Sequence, residues 1–343
     1  MEDDGQWNGA GDSSFTVGYD DAIREGIPRI LFMGPRRSGK SSIERVVFHK
    51  MSPHETLFLE STAAADIHLI ANNALVKFQT WDFGGDMNLK QDIFYNNKTI
   101  SIETIFKNCS TLVYVIDAQE EDYEEALPKL LETIAIAHHI NSAIHFEVFL
   151  HKVDGDFMSE EAKSERQQKI QQYVSTELSE TSGEVLISYY LTSIYDHSTL
   201  EAFSKVVQKL VPQLPVLNNL LDILIASSSV DKSYLVDVPT KLYVATDSNP
   251  VDALTYELCS DLVDVIMDVS CIYGMNPINH HSVSPFDALS SSAIHLDSGL
   301  VLYLREVSQY LALVLVLREE HFTKRSLLDY NIDTFRSCLE KLF

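Results

Sequence analysis

The chain has 343 residues, 45% hydrophobic and 22% charged, which is enough apolar material to fill a core and a length that suggests about two domains. Its 26 basic and 50 acidic residues leave a formal net charge of −24, which repels phosphodiester backbones and anionic bilayers and argues against nucleic-acid binding by bulk electrostatics. Any phosphate ligand must be held by a local, built site.

Residues 1–27 carry seven acids and one arginine among Gly and Ser, without helical or strand periodicity, and read as a mobile acidic tail. From Pro28 onward, β-branched or aromatic runs at 29–33, 75–81, 111–117, 145–150 and 186–191 alternate with helical stretches. Such alternation predicts a mainly parallel sheet covered on both faces. Asp66–Ile70, the pair Asn72-Asn73 and Ala74–Trp81 read as an antiparallel hairpin whose asparagines supply the positive φ of a tight turn. Tyr123, Leu127, Leu130, Leu131 and Ile134 share one helical face, with Pro128 expected to kink that helix or mark its start.

At Pro212-Gln213-Leu214-Pro215 the pattern breaks, as in a short stiff connector. A helix at 214–227, a strand pair around YLVDV and KLYVAT, and a long helix bearing Leu254, Leu258, Leu262 and Ile266 follow. Three strand-like runs (293–296, 300–307, 310–317) and a closing helix near 323–342 complete an α+β pattern with an antiparallel sheet. Residues 275–292, rich in Ser, Asn, Pro and His, read as a mobile loop. The expected division is an acidic tail (1–27), an α/β domain (28–212) and an α+β domain (213–343).

Directly after the strand at 29–33, Gly34-Pro35-Arg36-Arg37-Ser38-Gly39-Lys40-Ser41 fits GxxxxGK[ST] and opens a helix, the context a phosphate-binding loop requires. Its glycines let backbone N–H groups point inward at phosphate oxygens while the helix start adds its positive dipole end. Arg37, Ser38, Gly39 and Ser42 complete the cradle. Lys40 is placed to reach the β- and γ-phosphates, and Ser41 to ligate Mg²⁺ through its hydroxyl.

Three further elements fit the same pocket. Asp82-Phe83-Gly84-Gly85 matches DxxG: Asp82 would hold magnesium through water, and the Gly85 amide would sense a γ-phosphate. His151-Lys152-Val153-Asp154 stands where a guanine reader carries NKxD. Guanine offers N1–H and N2 amine donors to one carboxylate, so Asp154 can select it against adenine while Lys152 lays its stem over the ring. Thr192-Ser193-Ile194 offers a short loop whose backbone N–H would meet the guanine carbonyl. Of two candidates for the threonine closing over Mg²⁺, Thr56 and Thr62, the second is favoured, being 21 residues past Ser41 and just before the strand at Asp66.

The stretches RRSGKSSIERVVFHKMSPHETLFLEST, WDFGG, YVIDAQ, HKVDG and YLTSIYDHSTLEAFSKVVQKLVPQLP resemble the Rag GTPases, specifically the C/D-type subunit (Gtr2-type in yeasts), and the likeness runs through about residues 28–343. It implies a Ras-like P-loop G domain followed by a roadblock (longin-like) domain that pairs with an A/B-type Rag subunit. It implies GTP/GDP and Mg²⁺ as ligands, slow GTP hydrolysis with Lys40, Thr62 and Gly85 at the reacting phosphate, and a GTPase-activating protein. It further implies a heterodimer held at the lysosome or vacuole by a scaffold complex, where it signals amino-acid sufficiency to target-of-rapamycin complex 1, the C/D-type subunit doing so in its GDP state. The implied compartment is the cytoplasm with recruitment to that membrane, and the nucleus in addition. Three departures stand out: Asp86 where relatives keep a water-orienting Gln, Gly84 where they have Pro, and His151 for Asn, which is the family's own habit and is expected to hydrogen-bond the P-loop. With Asp86, hydrolysis should be slow or depend on a partner's residue.

A second reading is a structural subunit holding nucleotide permanently. A third, an ATP-dependent phosphotransferase, lacks an arginine-bearing lid. The acid runs near 120–125 and 160–161 read as solvated helix starts, and His138-His139 and His280-His281 lack the supporting ligands of a zinc site. Cys109, Cys259, Cys271 and Cys338 form no CxxC pair and read as reduced thiols. The run Leu311–Leu317 is too short for a bilayer span, and Glu2 and Cys338 do not fit lipidation patterns, so membrane recruitment is expected through partners. The apolar face of helix 250–270 is expected to pack partly on its own sheet and partly on a second roadblock domain.

Overall fold

The computed structural model describes residues 14–16, 26–62, 65–89, 91–95, 98–120, 122–123, 125–155, 158–181, 185–273 and 290–342. These fall into two compact units: Ser14–Ala71 with Lys77–Leu210, and Val211–Phe343 with Asn72–Val76. Most of the acidic tail and most of the 275–292 segment lie outside the described residues.

In the first unit, β1 (Ser14–Thr16), β2 (Arg29–Met33), β3 (Ala65–Ala71), β4 (Lys77–Phe83), β7 (Cys109–Asp117), β8 (His145–His151) and β9 (Ile187–Thr192) form a seven-stranded sheet in the order β1-β3-β4-β2-β7-β8-β9. The β4/β2/β7/β8/β9 pairs are parallel, and β1/β3 and β3/β4 are antiparallel. The parallel strands read as near-continuous apolar runs because helices cover both faces, and Ile30, Leu112, Val113, Val148 and Leu150 are all fully buried. β5 (Ile93–Tyr95) and β6 (Lys98–Ile100) make a separate small hairpin.

Helices α1 (Lys40–His49), α2 (Ile102–Lys107), α3 (Ala126–Ile140), α4 (Glu160–Thr181) and α5 (Ser198–Gln208) link the strands, with a 3-10 turn at Glu55–Phe58. Pro128 lies in the first turn of α3 and so marks its start rather than kinking it.

Two expectations change. The acidic tail contributes a strand, since Ser14–Thr16 pairs with His68–Ile70 on the sheet edge. The hairpin turn does not use positive φ at Asn72 or Asn73. Instead Asn73 Oδ1 accepts from the N–H groups of Leu75 (3.0 Å) and Val76 (2.9 Å), an Asx turn in which the side chain replaces a backbone partner.

The second unit contains α6 (Leu214–Ser228), β10 (Lys232–Asp237), β11 (Tyr243–Thr246), α7 (Ala253–Tyr273), β12 (Ser291–His295), β13 (Leu300–Ser308), β14 (Leu311–Arg318), α8 (Glu319–Phe322) and α9 (Arg325–Leu339). Its five strands are all antiparallel, in the order β11-β10-β14-β13-β12, the α+β layering expected of a roadblock-type unit. Every residue of Leu311–Leu317 is buried, as a central strand covered on both faces requires.

Pro215 falls in the first turn of α6, so part of the expected connector is helix. On α7 the buried side is Tyr256, Cys259, Leu262 and Val263, whereas Leu254 (71% exposed) and Leu258 (42%) lie on the solvent side. The four-residue stripe read from the sequence therefore crosses from one face to the other. No described helix is long and apolar enough to cross a membrane.

Candidate functional site

The glycine loop runs from the end of β2 into α1. Gly39 occupies the N-cap position with φ 102°, a left-handed conformation that lets the following amides turn toward the loop centre. Lys40 Nζ donates to the carbonyls of Gly34 (3.0 Å) and Pro35 (2.9 Å). Burial lowers the Lys40 pKa, and the carboxylates of Asp82 and Asp86 act against that shift.

Beneath the loop, Ser41 Oγ donates to Asp82 Oδ2 at 2.5 Å, Thr62 Oγ1 donates to the same oxygen at 3.1 Å, and the two hydroxyls are 3.0 Å apart. Burial pushes the Asp82 carboxyl up to about 6 despite the hydrogen bonds from Ser41 and Thr62 and the charge of Lys40. Its Oδ1 is buried and without a hydrogen-bond partner among the described residues. An all-oxygen set with one carboxylate oxygen left over fits a hard divalent cation such as Mg²⁺, and Ser41, Thr62 and Asp82 are the residues that would hold it.

Thr56 also reaches the cleft, but its hydroxyl donates to the Pro53 carbonyl at 2.7 Å, within the 3-10 turn. Thr62 is the threonine that meets Ser41.

The loop after β4 presses onto the glycine loop. A Cβ on Gly85 would lie 2.3 Å from the backbone nitrogen of Arg36, so only glycine permits this approach. Asp86 beside it is exposed, 4.0 Å from Arg36 Nη1, and Arg36 Nη2 donates to Ser61 at 3.0 Å.

Across the cleft, Ser193 Oγ donates to Asp154 Oδ1 at 2.5 Å and Gln119 Nε2 approaches Oδ2 at 3.5 Å, which orients the carboxylate. Lys152 adopts φ 65° and donates to the Arg37 carbonyl (2.7 Å) and to Asp117 Oδ2 (2.5 Å), so its stem bridges the two loops. Ser193 commits its own N–H to Ser198 Oγ at 2.9 Å, while Ile194 lines the cleft.

The expected hydrogen bond from His151 to the glycine loop is replaced by packing. The ring lies against Gly39, and Nδ1 is instead 3.0 Å from Thr192 Oγ1. Burial, with the neighbouring Lys152 charge, holds the imidazole down to about 3, so it is neutral.

One cleft of about 1460 Å³ is lined by Arg37, Gly39, Lys40, Ser41, Ser42, Thr56, Thr62, Gly85, His151, Lys152, Asp154, Ser193 and Ile194. Ser38 and Asp82 are buried at 1% and 3% exposure. Sequence reading missed Arg36, Asp117 and Gln119 as supports of these groups, and read Thr192 as part of the base-binding loop rather than as the partner of His151. Only the run Asp117-Ala118-Gln119 at the end of β7 carried a local signal, as a polar strand end facing the same side as the glycine loop.

A central strand, β2, running through a glycine loop into a helix in a mainly parallel sheet, with a second loop pressed onto the first, defines a P-loop α/β protein. The Gtr1/RagA G protein conserved region matches residues 29–263, and the chain belongs to this family. It is 52% identical to Ras-related GTP-binding protein C of Homo sapiens over 317 residues, covering 92% of this chain and 77% of the relative. It is 48% identical to GTP-binding protein gtr2 of Schizosaccharomyces pombe over 318 residues, covering 92% and 98%. Against GTP-binding protein gtr1 of the same yeast, identity falls to 26% over 246 residues, covering 68% and 74%. The chain is thus similar to the C-type and gtr2 side of the family.

Proposed function

We propose that this chain is a guanine-nucleotide switch that binds GDP and GTP with Mg²⁺, hydrolyses GTP slowly, and forms the C/D-type half of a heterodimer with an A/B-type Rag subunit. The convergence of Ser41 and Thr62 on Asp82 carries the reading. Ser41 belongs to the glycine-loop helix, Thr62 to the segment before β3 and Asp82 to the end of β4. A bound Mg²⁺ would supply charge neutralisation at the phosphates. Lys40 and the loop amides bind the phosphate oxygens, the Gly85 amide distinguishes a third phosphate, and Asp154, held by Ser193, reads the purine edge.

The solvent-side apolar residues of α7, among them Leu254, Leu258, Val265, Val269 and Ile272, support the pairing, because a face of this size on a dimerisation domain is normally covered. In this reading the heterodimer works at the lysosome or vacuole through a scaffold complex, answers to a GTPase-activating protein and signals to target-of-rapamycin complex 1.

Asp86 favours a second reading, a subunit that holds its nucleotide without turning it over. Its exposed carboxylate lies 4.0 Å from Arg36 where an amide would orient water. Single-turnover GTP hydrolysis by the purified heterodimer, with and without cell extract, separates the two. Conversion of GTP in the presence of extract supports the switch, and no conversion in either condition leaves only the nucleotide-locked subunit.

A further inference from the structure

Outside the nucleotide cleft, one trio of metal-ligating side chains converges among the described residues: Glu44 and His49 on α1 and His68 on β3, with one donor atom from each within 4.8 Å of the others. Glu44 Oε1 lies 2.9 Å from His49 Nε2 and 3.1 Å from His68 Nδ1, and the two rings stand edge to face with centroids 4.6 Å apart. Glu44 and His68 are 2% and 4% exposed, so a carboxylate and an imidazole have been taken out of water where apolar side chains would cost less. Hydrogen bonding does not account for all three groups. His68 Nδ1 is buried and, despite its short distance to Glu44, has no hydrogen-bond geometry to any described group.

We propose that Glu44 Oε1, His49 Nε2 and His68 Nδ1 form a binding site for a zinc-like divalent transition ion, a site separate from the one expected for Mg²⁺. Ligands at about 2.0–2.1 Å from a tetrahedral ion stand about 3.4 Å apart, so the two Glu44 separations need a few tenths of an ångström of opening, and the two histidine nitrogens, within 4.8 Å of each other, must settle at the same spacing. Two imidazoles and one carboxylate select a borderline ion over Mg²⁺, which demands oxygen.

The surroundings are those of a supported site. Asp66 Oδ1 lies 3.5 Å from His68 Nε2, the position of a carboxylate that fixes the tautomer leaving Nδ1 free to ligate. Thr80 Oγ1 donates to Glu44 Oε1 at 3.1 Å and orients it. Arg45, the competing cation, reaches the other oxygens: its Nη2 is 2.6 Å from Asp66 Oδ2 and its Nε 3.6 Å from Glu44 Oε2. Burial opposes ionisation of Glu44, and the adjacent His49 and His68 favour it. Asp66, at 35% side-chain exposure, is the most open of these groups.

The site clips the end of α1 to β3 and, through Thr80, to β4 within the first unit. The test uses the full-length chain preloaded with GDP and excess Mg²⁺, titrated with Co²⁺ and then Zn²⁺. The expected result is one equivalent of cobalt with the intense visible absorption of four-coordinate ligation, bleached by zinc, and a rise in thermal midpoint on zinc addition. His68→Gln and His49→Asn should each weaken binding by ~100-fold or more, and Thr80→Val by roughly 10-fold as an orienting group. Retained GDP binding reports that each variant is folded, and His49→Asn, at the less buried edge, serves if His68→Gln is not. Only the pale spectrum of six-coordinate cobalt in the wild type, or equal affinity in wild type and a folded histidine variant, would overturn the assignment.

Discussion

A methyl group on Gly39 would sit 2.4 Å from Cδ2 of His151, so the glycine loop and the end of β8 meet at a position with no side chain to spare. Gly39→Ala carries two costs: a left-handed backbone at φ 102°, about 1–2 kcal/mol, and an overpacked contact, about 1–3 kcal/mol. Gly26→Ala is the control, because it shares a positive φ of 92° but meets nothing within 4 Å. Urea unfolding of the full chain should show the Gly39 variant the less stable by the overpacking share, with nucleotide binding lost only there.

The same histidine makes stability depend on pH. Its folded pKa of about 3 lies below its ordinary value of 6.5, so the neutral form is favoured in the fold. The contribution is fully present above pH 6.5 and is lost as pH falls toward 3, because the unfolded chain takes up the proton first. Between pH 7 and 5 the loss should reach about 2 kcal/mol, and His151→Asn should remove that portion of the slope in urea titrations.

In the second unit, Lys232 Nζ lies 3.2 Å from Asp247 Oδ1, and the pair is 6% and 3% exposed. Ser233 N–H donates to Asp247 Oδ2 at 2.7 Å. Lys232→Met leaves a buried carboxylate without its counterion and should destabilise this unit by about 3–5 kcal/mol. The double variant Lys232→Met with Asp247→Leu should recover much of that loss, measured by thermal unfolding.

What the sequence disclosed was whatever it stored locally. The glycine loop was legible because Gly34 to Ser41 are contiguous, and the parallel strands because burial on both faces writes an unbroken apolar run. Thr62 could be preferred to Thr56 from its place before β3, yet the reason, a hydroxyl that meets Ser41 and Asp82, is tertiary. The 44/49/68 cluster was invisible, since its members share no spacing rule and meet only when α1 packs on β3. Asn73 shows a different limit: its residue type announced a turn, but the turn works through the side-chain oxygen rather than through φ. Leucines at four-residue steps drift around a helix of 3.6 residues per turn, so the stripe on α7 is buried at Leu262 and exposed at Leu254 and Leu258.

If Asp86 is the reason for slow hydrolysis, Asp86→Gln should raise the intrinsic single-turnover rate by roughly 10-fold or more, because an amide can both donate to and accept from the attacking water. Asp86 is exposed and its pairing with Arg36 is long, at 4.0 Å, so the substitution should leave unfolding nearly unchanged. An unaltered rate would assign the slowness to another residue.

The most direct measurement is equilibrium binding of GDP, XDP and ADP, with Mg²⁺, to the wild-type chain and to Asp154→Asn. The wild type should prefer GDP over ADP by ~10⁴-fold or more. The variant should lose GDP affinity and gain XDP, since its amide donates to the xanthine carbonyl. Equal GDP affinity in the two proteins, or wild-type ADP binding as tight as GDP, would contradict the account.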